Sequence, residues 1–231
     1  MNSITWIRHS ACAGLWTVLV ALFAASAAGG QIQATPGPTT SGPGLGLVNV
    51  AAIITPSPNN DDEAGTSTNN NVVSPLKRFD STGFIDIEFT VTPTEGVSEY
   101  LVTEFVDNNT GVSWSAYNML LGFGTGASFT QAGGLLDGLD FDTGPPGGNT
   151  DPPSSASLPT ITRPNEDSLN FSGGVQGLGA QLYTFRIDVP DLTARNGKFT
   201  LRQQPVPVPE PNTIVFVSLA IVGLAMKHRG R

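Results

Sequence analysis

In Phe84-Ile85-Asp86-Ile87-Glu88-Phe89-Thr90-Val91, the seven residues from Ile85 onward alternate strictly between apolar and polar. Only an extended backbone sends successive side chains to opposite faces. Ile85, Ile87, Phe89 and Val91 are therefore expected on a buried face, with Asp86, Glu88 and Thr90 opposite. Tyr183-Thr184-Phe185-Arg186-Ile187-Asp188-Val189 repeats the pattern. Further strands are expected at Tyr100 to Val106, Val112 to Tyr117, Leu169 to Phe171 and Phe199 to Gln203. Asp107-Asn108-Asn109-Thr110-Gly111 and Asn196-Gly197 carry turn chemistry between them. Charged residues make up only 13% of the chain, which disfavours long amphipathic helices. Residues 74–204 thus read as mainly β, a single antiparallel β-sandwich of jelly-roll or immunoglobulin-like kind, built from seven or eight strands.

Before this body, residues 29–73 are rich in Gly, Pro, Ser and Asn and read as a flexible arm, with one apolar stretch at 45–54 able to add an edge strand. Within the body, residues 144–164 contain Pro145-Pro146-Gly147-Gly148 and Pro152-Pro153. Proline donates no ladder hydrogen bond, so a long surface loop is expected there.

The two ends differ from everything between them. Residues 1–28 place Arg8 before an apolar core centred on Leu15 to Phe23, followed by Ala24-Ala25-Ser26-Ala27-Ala28. That order is a secretory signal peptide, with cleavage expected after Ala27 or Ala28; an uncleaved N-terminal anchor is the competing reading. Residues 205–231 begin with Pro-rich sequence and continue from Thr213 to Met226 as a 14-residue run without charge. As a helix it would be about 21 Å long, short of the ~30 Å hydrocarbon core, which suits a transient anchor. Lys227, Arg229 and Arg231 follow as a basic end that stays on the cytoplasmic side, leaving the body outside.

The order Val208-Pro209-Glu210-Pro211-Asn212-Thr213, short apolar helix at 213–226 and basic end at 227–231 resembles the PEP-CTERM sorting signal of Gram-negative bacteria. The resemblance covers about the last tenth of the chain. It implies export, recognition by an exosortase-type processing enzyme, cleavage near Pro209-Glu210-Pro211, and release from the inner membrane to the cell surface or an exopolysaccharide-bearing extracellular matrix. A plain C-terminal membrane anchor is the alternative reading of the tail.

Composition removes several kinds of chemistry. The only cysteine is Cys12 and the only histidines are His9 and His228, all in segments expected to be removed. The remaining body has no thiol or imidazole for a disulfide, a nucleophilic triad or a zinc site. From Gly29 to Pro209 there are 7 Lys and Arg against 18 Asp and Glu, a net −11, so no attraction to nucleic acid is expected. The expectation is a non-enzymatic structural protein without a cofactor. Two alternatives stay open. One is a calcium-dependent carbohydrate-binding module, with Asp137, Asp140 and Asp142 as hard oxygen ligands and Trp114 and Tyr117 as a sugar-stacking platform. The other is a polysaccharide hydrolase or lyase working through carboxylates alone.

Overall fold

The computed structural model describes residues 30–60, 71–94, 96–133, 138–142 and 152–210. The expected signal peptide, the apolar run at 213–226 and the basic end lie outside these residues. Among the described residues, no helix is long and apolar enough to cross a membrane.

The described chain is mainly β, with two short 3₁₀ turns. Its strands are β1 (Gly30–Ile32), β2 (Thr39–Ser41), β3 (Leu45–Ile54), β4 (Val72–Phe79), β5 (Ile85–Pro93), β6 (Ser98–Asn108), β7 (Trp114–Phe123), β8 (Thr130–Gln131), β9 (Ser154–Ser155), β10 (Thr160–Asn165), β11 (Ser168–Ser172), β12 (Gly179–Val189) and β13 (Lys198–Pro207). They form two sheets. The larger has eight strands, ordered β1-β5-β13-β7-β11-β10, with β2 also on β5 and β8 also on β7. The smaller has five, ordered β3-β4-β6-β12-β9.

The alternation places the core as expected. Ile85, Ile87, Phe89 and Val91 on β5, and Tyr183, Phe185, Ile187 and Val189 on β12, are all buried. The two sheets meet through aromatic rings. Phe79 of the smaller sheet packs edge-on against Trp114 (5.4 Å) and Tyr117 (5.9 Å) of the larger, and Tyr117 and Phe171 both reach Tyr183, at 4.8 and 5.1 Å. Edge-to-face contacts of this kind add to the area that the rings bury.

One ladder is not antiparallel. β4 and β6 run parallel, Val72 opposite Leu101 through Phe79 opposite Asn108. Parallel neighbours need a crossover, and β5 supplies it by pairing in the opposite sheet. The two expected turns likewise pass between sheets rather than closing hairpins: residues 109–113 link β6 to β7, and Asn196-Gly197 precede β13. Asn196 and Gly197 both have positive φ, 58° and 63°, the backbone region in which Asn and Gly carry the least strain.

Within the Gly/Pro-rich arm, the edge strand expected at 45–54 is present as β3 on the edge of the smaller sheet. The departure is that the arm also contributes β1 and β2 to the larger sheet. Ile32 is buried, and its N–H donates to the Tyr100 hydroxyl at 3.0 Å; Thr55 meets the same hydroxyl at 2.9 Å. Short apolar segments between the prolines are enough to pair with an existing sheet, so the folded unit begins well before residue 74. The Pro-rich 144–164 region also holds pairing residues, in β9 and the start of β10. Both lie at sheet edges, where missing ladder donors are tolerated.

Candidate functional site

On β4, every second residue faces the core: Val73, Pro75, Lys77 and Phe79. On β6 the inward row includes Tyr100, Val102, Glu104 and Val106, and on β13 it is Phe199, Leu201, Gln203 and Pro205. Each row therefore carries a polar residue between apolar neighbours of the same phase. Lys77, Glu104 and Gln203 are all fully buried, and they converge. Lys77 Nζ lies 2.5 Å from Glu104 Oε2 and donates to Gln203 Oε1, while Gln203 Nε2 donates to both Glu104 oxygens at 2.8 and 3.0 Å. Burial lowers the Lys77 pKa despite the opposing charge and hydrogen bond of Glu104. The Tyr117 hydroxyl is buried without a hydrogen-bond partner among the described residues. Burial, and then the charge of Glu104, raises it well above the usual phenol value.

The residues expected to stack on sugar are elsewhere in function. Trp114 and Tyr117 are both fully buried and lie 6.0 Å apart in a stacked pair inside the core. The indole N–H donates to Thr110 Oγ1 at 3.1 Å. Neither ring offers a face to a ligand, because both are fully buried, a register shift at Val206/Pro207 bringing Trp114 to the same side of β7 as Tyr117. They are core residues, and the stacking platform is corrected accordingly.

Of the acidic loop, Asp137 lies outside the described residues. Leu139 and Phe141 plug into the core, which leaves Asp140 and Asp142 half-buried on the other side of the same extended segment. Asp140 bridges to Asp188 through the backbone and pairs with Arg163 at 3.4 Å. Its carboxyl is raised to about 7, chiefly by burial and further by Glu166, Asp142 and Asp167, with Arg163 opposing. Arg163 already supplies positive charge there. Among the described residues, no three carboxylates converge at metal-ligand spacing.

Other strand-borne acids are held in ion pairs. Asp86, expected to face solvent, is fully buried on the outer side of β5. Arg202 grips it with two hydrogen bonds, of 2.7 and 2.8 Å, and the guanidinium lies between the Phe84 and Phe129 rings at 3.9 and 4.0 Å. Glu88 pairs with Lys198 at 2.8 Å, and Glu99 with Arg186. Such pairing explains these carboxylates structurally, without assigning any to acid–base work. A cleft of about 500 Å³ is lined by Phe123, Ser128, Thr130, Gln131 and Arg195 among others, none of them acidic.

At the C-terminal edge of the described chain, β13 stays paired with β7 as far as Pro207 opposite Trp114, and Val208 N–H donates to Ser113 O at 2.8 Å. Val208 is half-buried; Pro209 and Glu210 are exposed. Pro211, Lys227, Arg229 and Arg231 lie outside the described residues. No protein-family model, curated protein or solved structure matches the chain.

Proposed function

We propose that this is an exported structural protein of the cell surface or extracellular matrix, associated with exopolysaccharide and processed at its C-terminal sorting signal. Residues 1–28 direct export, residues 213–226 hold the chain briefly in the inner membrane, and an exosortase-type enzyme cleaves near Pro209-Glu210-Pro211. The body is read as a single β-sandwich of jelly-roll or immunoglobulin-like kind with no catalytic site. The observation that carries this reading is the three-part tail itself, Val208 to Arg231. Its setting supports the reading: the last strand ends one residue before Val208, and Pro209 and Glu210 project from the folded body. A processing enzyme would meet exposed residues at Pro209 and Glu210.

The test compares full-length protein with Glu210→Ala and with a deletion of residues 213–231, in the producing organism. Wild type is expected to lose its tail and leave the membrane. Glu210→Ala is expected to stay larger and membrane-bound, and the deletion to be released without processing. Unchanged size and location in both variants would overturn the sorting assignment.

A further inference from the structure

Three strands from two sheets bring together an amine, a carboxyl and a carboxamide with no access to solvent. Glu104 occupies the middle of the cluster. One of its oxygens lies 2.5 Å from Lys77 Nζ, and both accept from Gln203 Nε2. The carboxyl therefore touches a nucleophile on one side and the nitrogen of a potential leaving group on the other. We propose that the cluster joins Lys77 Nζ to Gln203 Cδ in an intramolecular isopeptide bond, with Glu104 as the proton carrier and ammonia as the product.

The steps balance without an outside reagent. Glu104 first takes a proton from the Lys77 ammonium, a transfer favoured because two neutral groups cost less to bury than two ions. The lowered pKa of Lys77 agrees with this. The free amine adds to Gln203 Cδ, and the carbonyl π electrons move onto Oε1. Glu104 then gives its proton to Nε2, which departs as ammonia, and takes one from the newly bonded Nζ. One C–N bond forms and one breaks, with no oxidation or reduction. The Tyr117 hydroxyl is buried within range of the Glu104 charge. Burial also protects the product, since no water reaches the bond.

The bond would tie β4 of the smaller sheet to β13 of the larger, across 126 residues of sequence. It would give a chain whose only cysteine is Cys12 the covalent closure that exported proteins commonly obtain from disulfides. This inference does not rest on the sorting assignment.

The deciding experiment is mass spectrometry of the full exported protein, intact under denaturing conditions and after chymotryptic digestion. Expected are an intact mass lower by one ammonia, about 17 Da, and a single peptide joining Lys77 to Gln203. Separate, unmodified Lys77 and Gln203 peptides would overturn the proposal. A Lys77–Glu104 link formed with loss of water would equally overturn it, by making Glu104 the acceptor. Glu104→Gln keeps the side chain's shape but removes the proton carrier, and should give separate peptides. Gln204→Met, altering the exposed neighbour of Gln203, should leave the link intact. The wild-type digest decides the matter even if Glu104→Gln fails to fold.

Discussion

Lys77 is the residue at which local sequence and core meet most sharply. Its neighbour Leu76 is 43% exposed while Lys77 is fully buried, the reverse of what either side chain prefers alone. Burying a lone ammonium would be prohibitive; Glu104 and Gln203 make it tolerable by satisfying its donors. The signal for this was present in the sequence as a polar residue in apolar phase within each of three strands, visible only once the strand phases are known. Asp140 shows the opposite economy. Its carboxyl is raised from 3.8 to about 7, so the folded state holds a proton that the unfolded chain releases. Stability from this group is therefore greatest in acid and is lost progressively as pH rises between about 4 and 7. Asp140→Asn should flatten that slope and raise the melting temperature at pH 8 relative to wild type. With partial exposure and the loss of the Arg163 pair, the gain is on the order of 1 kcal/mol. Thermal melts across pH 4 to about 8 measure it, and an unchanged slope in the variant would assign the pH dependence to other groups.

At the scale of elements, strands with strict period two or a clear apolar run were legible, β3 at 45–54 among them, and those with neither were not. β5 and β12 follow their alternation, and β6, β11 and β13 lie where apolar runs placed them. β4 was missed because Pro75 and Lys77 break its inward row, and β1 and β2 because three residues carry no period. Those short strands depend on close fit. Gly30 sits so near the Pro190 carbonyl and the Val91 side chain that a methyl group would overlap both. Gly30→Ala should therefore loosen β1 from β5, costing about 1–3 kcal/mol, and expose the segment before Thr39 to protease. Limited proteolysis of the variant beside wild type checks this; equal cleavage rates would show that β1 shifts without strain.

For the whole molecule, stability depends on two sheets staying face to face. Aromatic packing holds them throughout the core, and the Lys77–Glu104–Gln203 cluster holds them at one point. A bond closing a loop of 126 residues removes unfolded-state entropy equivalent to about 5 kcal/mol, whereas hydrogen bonds alone to Gln203 contribute about 1–3 kcal/mol. Gln203→Met keeps Lys77 beside Glu104 and removes the carboxamide, with its hydrogen bonds to both residues. Denaturant unfolding should show the larger loss if the bond forms, and the smaller if the cluster is only hydrogen-bonded.

The sequence alone determined that the body is built of strands, which residues face inward on the regular ones, and that thiol and imidazole chemistry is missing from it. These properties are local, because periodicity and composition act within a few residues. Tertiary structure alone decided that β4 and β6 run parallel, that the start of the Pro-rich arm pairs as β1 and β2, and that Trp114 is core. It also decided that an amine, an acid and an amide distant in sequence meet in the buried core. Such facts depend on which strands become neighbours, and contact between residues 126 positions apart leaves no period along the chain.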